Sequence, residues 1–246
     1  MVPVRMGDDR IPEVPAHLED PLSYLRCSTI VEYQRGQIIY GPQRPPKRLF
    51  LIVDGAVKVS RIRASGGEAI LDIYLPEEFI GESAFVGPEA AEQATALEKT
   101  RLMTWTAADV EESILRQPRL GLALVQMMVR RSQTFAQRIE TFTTDGIARR
   151  LVGSLLRFSE RLGTPEEDGS VRIMPLTHAV LAQYVGTSRE IVTHHMNDLQ
   201  RAGCVRYSRK GIILYRNECL ETYLQTKPTG DAVERRVVAM RDRLCG

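Results

Sequence analysis

A short segment near residue 190 carries polar side chains that could read the edges of DNA bases. An arginine can donate two hydrogen bonds to guanine, and a glutamate can accept one from the cytosine amino group. At helical spacing, the apolar residues Val192, Met196 and Leu199 lie on one face and the polar residues lie on the other. The polar face consists of Arg189, Glu190, Thr193, His194 and Asn197.

The residues before this segment predict a helix-turn-helix. Thr177 can cap a first helix that runs through Tyr184. Gly186 supplies a tight turn, and Thr187 or Ser188 can cap the second helix, which would end near Gly203. In a helix-turn-helix the second helix enters the major groove of DNA. We therefore expect the cap residues at the starts of both helices to lie near the DNA as well.

A wing follows the second helix. The runs VRYS and IILY predict two short strands around an RKG turn that contains Arg209 and Lys210. A merely solvated helix face is the alternative to a DNA-reading one. The basic wing argues against it, because lysine and arginine there can contact phosphates.

Charge is distributed unevenly along the chain. The 246 residues include 33 basic and 31 acidic ones, so the net charge is only +2. Residues 64–112 are strongly acidic, whereas residues 170–230 contain twice as many basic as acidic residues. Only the C-terminal part is therefore expected to meet a polyanion.

The N-terminal part predicts a β-rich domain. Between about residues 30 and 106, short β-prone runs alternate with glycine and proline, which indicates a sandwich, barrel or roll. The SGG segment at 65–67 predicts a hairpin turn.

A long amphipathic helix over residues 118–144 should join the two parts. Its apolar stripe favours pairing with a second copy of the chain, with ordinary core packing as the alternative. The expected interface residues are Leu120, Leu124, Met128, Phe135 and Phe142.

Other function classes find little support. No nucleophile elbow, P-loop or metal-ligand spacing is present, so we expect no enzyme, no catalytic residues and no metal. The four cysteines Cys27, Cys204, Cys219 and Cys245 are scattered, which predicts four reduced thiols. With no secretory signal and no membrane-length apolar run, a cytoplasmic protein is expected.

The segment LAQYVGTSREIVTHHMNDLQRAG resembles the helix-turn-helix of the cyclic-AMP receptor and fumarate-nitrate regulator family of bacterial transcription factors. YQRGQIIY, LFLIVDGAVKVSRI, ILDIYLPEEFIGESAF and ARRLVGSLL follow the same family's order. The resemblance implies an α+β chain with a cyclic-nucleotide-binding-type β-roll, a dimerisation helix and a winged helix. It also implies double-stranded DNA with a pseudopalindromic operator as partner, and RNA polymerase as a second partner.

On the second helix, Arg189 and Glu190 match the family's base-reading pair. His194 stands where the third reader is usually arginine, which leaves one base pair of the half-site undetermined. His195 stands where the family has an apolar residue, and we interpret it as a boundary residue of the core.

The β-roll departs from the family's phosphate cassette. Gly81, Glu82 and Ser83 match its start, but ten residues on Glu92 and Gln93 replace the expected Arg-Ser pair. Phe135 and Ala136 stand where nucleotide-binding members place Thr-Ser. The pocket, which would also include Arg131, is therefore expected to be degenerate, with its effector unknown or absent and no cofactor indicated.

The expected organisation has five parts. They are an N-terminal extension with a short helix (1–29), the β-roll (30–117), the dimerisation helix (118–144), the winged helix (145–225) and a C-terminal extension (226–246). The extension predicts an amphipathic helix docked on the winged module, or else a frayed tail. A sensor module that regulates a partner protein is the alternative function.

Overall fold

The computed structural model describes residues 18–62, 67–87, 92–208, 211–215 and 217–226. Three predicted features lie outside the described residues. They are the SGG turn except for its last residue, Gly67, the wing residues Arg209 and Lys210, and the C-terminal extension beyond residue 226. Within the described part, no helix is both long enough and apolar enough to cross a bilayer.

The N-terminal domain is a β-roll of two antiparallel four-stranded sheets, in the orders β1-β8-β3-β6 and β2-β7-β4-β5. Ile52, Val57 and Leu102 fill the space between the sheets and are fully buried. The strands are β1 (Ile30–Tyr33), β2 (Ile38–Tyr40), β3 (Arg48–Asp54), β4 (Val57–Ile62), β5 (Glu68–Tyr74), β6 (Phe79–Ile80), β7 (Glu92–Ala96) and β8 (Thr100–Thr106).

Three helices follow the roll. Helix α1 (Ala107–Arg116) begins with a capping box in which Thr106 and Asp109 exchange backbone and side-chain hydrogen bonds. The long helix α2 (Arg119–Thr144) and helix α3 (Ile147–Leu162) meet at Asp145 and Gly146. The N-terminal extension contributes only a short 3₁₀ turn at Pro21–Ser23 among its described residues.

The C-terminal module is a winged helix-turn-helix. Its helices are α4 (His178–Val185), α5 (Arg189–Arg201) and α6 (Asn217–Thr226). Its sheet has the order β11-β12-β10-β9, built from β9 (Thr164–Pro165), β10 (Val171–Ile173), β11 (Val205–Ser208) and β12 (Gly211–Leu214).

One apolar core runs from the roll into the winged module. Ile70 and Ile73 of β5 pack in the same cluster as Leu155 of α3 and Leu181 of α4. The Arg161 guanidinium bridges the same boundary, with Nη2 at 2.6 and 2.7 Å from the Glu78 carboxylate oxygens. The two domains are therefore joined by packed side chains as well as by α2.

The expectation of four reduced thiols is wrong for two of them. Cys204 and Cys219 form a disulfide, with their Cα atoms 5.4 Å apart. Helix α6 folds back toward the start of β11 and so brings the two cysteines together. They are 15 residues apart in the sequence, and no local sequence pattern indicates that they pair. Cys27 is free and exposed, and Cys245 lies outside the described residues.

Candidate nucleic-acid interface and effector pocket

The recognition helix α5 is set by its cap and by its apolar face. The Ser188 hydroxyl accepts a hydrogen bond from the Ile191 backbone N–H at 3.4 Å, so Ser188 rather than Thr187 is the cap. Val192, Met196 and Leu199 are completely buried, as their spacing predicted. The opposite face of α5 therefore points away from the core.

The turn before α5 depends on glycine. Gly186 has φ +76°, and a Cβ atom there would lie 2.8 Å from the Phe142 ring. Thr177 caps α4 by accepting from the Val180 backbone N–H at 3.2 Å. Phe142 thus packs against the helix-turn-helix of its own chain.

Arg189 and Glu190 lie exposed on the first turn of α5. Hydrogen bonds to the Glu190 carboxylate from its own backbone N–H and the Ser188 hydroxyl, together with the charge of Arg189, lower its pKa. Glu190 is therefore ionised at neutral pH and is a hydrogen-bond acceptor only. The Arg189 guanidinium can donate two hydrogen bonds, and the neighbouring Glu190 carboxylate can accept hydrogen bonds.

The other expected base readers are engaged within the chain. The Thr193 hydroxyl donates to the Arg189 carbonyl at 2.8 Å, and the Asn197 side-chain oxygen accepts from the Tyr207 hydroxyl at 2.8 Å. His194 Nε2 lies 3.4 Å from an Asp198 carboxylate oxygen on the same helix. All three side chains are half-buried, so their polar atoms are less available than those of Arg189 and Glu190.

His178 belongs to this surface and was not predicted from the sequence. Its Nδ1 lies 2.9 Å from the Thr193 hydroxyl, and its ring meets the Tyr207 ring edge-on at 5.1 Å between centroids. Burial and the charge of Arg189 lower the pKa of His178. The only sequence signal was its place directly after the cap Thr177.

His195 is more deeply buried than a boundary residue. It has no exposed surface, and its Nδ1 lies 3.1 Å from the Tyr223 hydroxyl of α6. His195 is therefore a core residue and does not belong to the exposed face of α5.

An arginine from α2 lies in the expected effector pocket of the roll. Arg131 donates to the Glu82 carboxylate and to the Phe79 carbonyl, and its guanidinium lies 4.6 Å from the Tyr74 ring centroid. Its side chain is only 13% exposed. The glutamate that would hold a ribose hydroxyl in the related cassette is thus already paired within the chain.

The rest of the cassette is also internally bonded. The Ser83 hydroxyl donates to a Glu92 carboxylate oxygen at 2.8 Å, and the Gln93 amide donates to the Thr95 hydroxyl at 3.3 Å. Gly81 has φ +83°, and a Cβ atom there would lie 2.6 Å from the Arg48 carbonyl oxygen. The structure therefore pairs Glu82 with Arg131 and Ser83 with Glu92, and Glu92 stands where a cation was required for phosphate.

Tyr40 joins this pocket without having been predicted. Burial, followed by the charges of Glu92 and Glu82, raises its pKa well above the ordinary value. Its hydroxyl therefore stays protonated beside the two carboxylates. Nothing in the sequence distinguishes it from an ordinary core tyrosine.

Helix α2 carries two apolar stripes. Leu120 is completely buried in its own chain, Leu124 packs against the core of the roll and α1, and Met128 and Phe135 are half-buried. Leu120 thus has no surface left for a partner, whereas Phe142 is 40% exposed and Met128 and Phe135 keep part of their surface.

A second stripe on α2 remains exposed, which we call the α2 seam. Its members are each 49% to 66% exposed, and they are Leu122, Val125, Val129 and Ile139. Their spacings of three, four and ten residues, the last being a heptad plus three, fit the repeat of a coiled-coil interface.

The fold and these two sites define a class of protein, one that couples a cyclic-nucleotide-type β-roll to a winged helix-turn-helix. Residues 30–117 match the family model of the cyclic nucleotide-binding domain, and residues 149–223 match that of the Crp-like helix-turn-helix domain. The chain belongs to the CRP/FNR family of transcriptional regulators. Among the described residues, no group of histidine, cysteine and acidic side chains could hold a metal ion.

Individual relatives agree with this assignment. The transcriptional regulator SdrP of Thermus thermophilus is 30% identical over 72% of this chain and 84% of its own length. The CRP-like cAMP-activated global transcriptional regulator of Mycobacterium tuberculosis is 27% identical over 77% and 85%. The crystal structure of a CRP/FNR-family regulator from Thermus thermophilus matches with a TM-score of 0.65 and 27% identity, over 80% of this chain and 99% of its own.

Proposed function

We propose that the protein is a homodimeric, sequence-specific DNA-binding regulator whose β-roll works without a cyclic nucleotide. One observation carries the proposal: Arg189 and ionised Glu190 lie exposed at the start of α5, while the apolar face of that helix is completely buried. A helix held in this way can present both groups to the major groove without loss of packing.

The base contacts follow from the chemistry of the two side chains. Arg189 would donate to the O6 and N7 atoms of guanine, and Glu190 would accept from the N4 amino group of cytosine. Exposed Arg206 on β11, together with Arg209 and Lys210 of the wing, would contact phosphates. Thr177, Thr187 and Ser188 lie at the helix starts nearest this surface and are assigned to the same backbone contacts.

The second copy would pair through the α2 seam. An isologous pair of α2 helices buries four large apolar side chains from each chain that are otherwise exposed. Met128 and Phe135, at the edge of the roll, would be secondary contacts. A two-fold dimer presents two recognition helices to one face of DNA, so the operator half-site centres should lie about 10 base pairs apart.

The roll is proposed to be degenerate as a nucleotide sensor. A cyclic phosphate about 4 Å from the Glu92 carboxylate would cost about 4 kcal/mol at an effective dielectric constant of 20. The ion pair of Arg131 with Glu82 already occupies the ribose-binding carboxylate. RNA polymerase is the partner through which the bound dimer would act on transcription.

The first experiment is selection of binding sequences from random DNA by the full-length protein without added nucleotide. We expect enrichment of a pseudopalindrome with half-site centres about 10 base pairs apart. Failure to enrich any sequence, with binding that stays equal on random DNA, would contradict the proposal.

A second experiment tests whether the roll binds cyclic AMP. Isothermal titration of the full-length protein with cyclic AMP should give no binding at micromolar concentrations, and Glu92→Arg with Gln93→Ser should create weak binding beside Gly81 and Glu82. Micromolar affinity in the unmodified protein would mean that the roll is a cyclic-nucleotide sensor after all.

A further inference from the structure

A second cavity lies outside the roll, at the boundary between the two domains. It has a volume of about 620 Å³ and is walled by β5 and the turn after it, by α2, by α3 and by residues 18–21. This volume is in the range of small-molecule sites, which typically measure about 300 to 1,000 Å³. Gly81, Glu82, Ser83, Glu92 and Gln93 do not line it, whereas Tyr74, Phe79 and Arg131 do, so the cleft adjoins the expected effector pocket at Arg131.

Four arginines line this boundary cleft, and they fall into two kinds. Arg131 is paired with Glu82, and Arg161 is paired with Glu78. Arg130 and Arg157 have no carboxylate within 4.0 Å among the residues that the structure describes. Two of the four cations therefore lack a counter-charge.

Arg157 is the stronger indication of a ligand. Its Nη1 atom is buried, and no described residue accepts a hydrogen bond from it. A buried donor without an acceptor costs about 1 to 3 kcal/mol and more when it is charged, so such groups are uncommon unless something else satisfies them. Nη1 itself has no exposed surface, so an anion in the cleft could accept from it only after a shift of the Arg157 side chain, which lines the cleft.

Carboxylates outnumber the four arginines on the wall, and they belong to Glu19, Asp20, Asp72, Glu77, Glu78 and Glu160. Glu77 and Glu160 line the same cleft and have no ion pair among the described residues. A bare polyanion would be repelled by them, whereas a molecule with hydroxyl or amino groups could donate to them. The lining thus fits a small molecule with one anionic end and a hydrogen-bonding body.

A second copy of the chain would not cover this cleft. The α2 residues that line it include Met127, Arg130 and Thr134, which repeat at three and four residues. Val125 and Val129 of the α2 seam fall on nearly the opposite side of the helix at 3.6 residues per turn. Dimerisation through that seam would border the cleft at Gln126, which lies four residues after Leu122, and would leave the Arg130 side of the cleft uncovered.

We infer that the boundary cleft binds a small organic anion, a phosphorylated or carboxylated metabolite whose charged group contacts Arg157 and Arg130. Its hydroxyl or amino groups face Glu77 and Glu160. Because the walls belong to both the roll and α3, a bound ligand would stabilise this arrangement of the two domains. The regulatory part of the inference rests on the proposed DNA-binding function, but the binding site does not.

The test is isothermal titration of the full-length protein with glucose 6-phosphate and inorganic phosphate, with glucose as the uncharged control. We expect glucose 6-phosphate to bind with a dissociation constant of about 1 mM or tighter, inorganic phosphate to bind more weakly and glucose not to bind. Arg130→Gln with Arg157→Gln should weaken glucose 6-phosphate at least about tenfold, since two charge-assisted contacts are lost.

The controls separate this site from non-specific charge and from misfolding. Arg101→Gln removes an exposed arginine of the roll and should leave binding unchanged. Arg130 is exposed, so Arg130→Gln alone should fold and should still weaken binding severalfold. Equal binding by the unmodified protein and the double variant, or no binding of either phosphate, would overturn the site.

The regulatory part has its own readout. Glucose 6-phosphate at saturating concentration should change operator affinity severalfold in the unmodified protein and not in the double variant. Binding in the cleft without any change in operator affinity would overturn the regulatory role. Loss of operator recognition with ligand binding intact would instead count against the proposed function.

Discussion

The pocket of the roll and the first turn of α5 differ in how far their polar groups are exposed. In the roll, Glu82 and Glu92 are bonded to Arg131 and Ser83 of the same chain. On α5, Arg189 and Glu190 are exposed and reach outward. Both regions carry motif residues of the family, but only at the start of α5 are these residues exposed to a partner.

The difference separates two consequences of substitution. A group that is satisfied inside the chain contributes to stability, and its removal leaves a partly buried partner unpaired. An exposed group contributes less to stability, and Arg189 and Glu190 would gain their contacts with bases only on binding. The comparison therefore predicts that stability and DNA recognition are affected by different residues.

The largest expected effect comes from the α2 seam, through which we propose that two copies of the chain pair and bring two α5 helices to one operator. Val125→Glu with Val129→Glu should yield monomers, because glutamate at both positions places like charges in the α2 seam. Loss of the second half-site should weaken operator binding by about 100-fold or more. Sedimentation and fluorescence anisotropy measure the two results.

Val86→Glu is the matched control for that variant. Val86 is 85% exposed on the roll, so the same change of residue should leave both the dimer and its DNA affinity intact. If the seam variant still sediments as a dimer while Met128→Glu with Phe135→Glu does not, the interface lies on the half-buried stripe instead.

The next effect concerns the roll. Arg131→Met should lower the free energy of unfolding by about 2 to 3 kcal/mol, because it leaves Glu82 without its charged partner. Operator preference in the folded dimer should be unchanged. Denaturant titration followed by DNA selection checks both halves of this expectation.

Arg116→Met provides the comparison for a surface ion pair. Arg116 and Glu112 are both at least half exposed, and such pairs contribute about 0.5 kcal/mol or less. If Arg131→Met is as stable as Arg116→Met, the ion pair between Arg131 and Glu82 does not stabilise the roll more than a surface pair does.

Arg189→Ala should show the converse behaviour. It should weaken operator binding by about 1 to 3 kcal/mol and relax the preference at one base pair, with stability changed by no more than about 0.5 kcal/mol. Arg206→Ala should instead weaken operator and random DNA alike. An equal loss on both DNAs for Arg189→Ala would remove its base-reading role.

Local chemistry explains why the α5 surface could be predicted from the sequence. Cap residues, a glycine turn and a helical repeat act within a few positions of one another, so Ser188, Gly186 and Val192 identify the helix without tertiary information. The two β-sheets were predicted only as a class, because strand pairing joins distant segments.

Contacts between distant segments explain what was missed. The Cys204–Cys219 disulfide, the place of His178 against Thr193 and the pairing of Arg131 with Glu82 all depend on how elements pack. On α2, the helical repeat predicts that an apolar face is buried. It does not say which of two stripes meets the chain's own roll, and the stripe through Leu120 does so.

The smallest expected effect is on a proton at the edge of the DNA-binding surface. Burial is the larger cause that lowers the pKa of His178 below its ordinary value of 6.5, and the Arg189 charge is the second. The folded protein therefore prefers the neutral ring, and the unfolded chain binds more protons between the two pKa values. Stability from this group is present above pH 6.5 and falls as the pH drops through the folded pKa.

NMR titration of the His178 imidazole in the full-length dimer measures this directly. Its pKa should lie below 6.5 and should rise in Arg189→Ala without reaching 6.5, because the burial against Thr193 and Tyr207 remains. Arg206→Ala removes an equal charge from the wing strand and should leave the value unchanged. A His178 pKa above 6.5, or one that does not change in Arg189→Ala, would mean that the charge of Arg189 does not act on this ring.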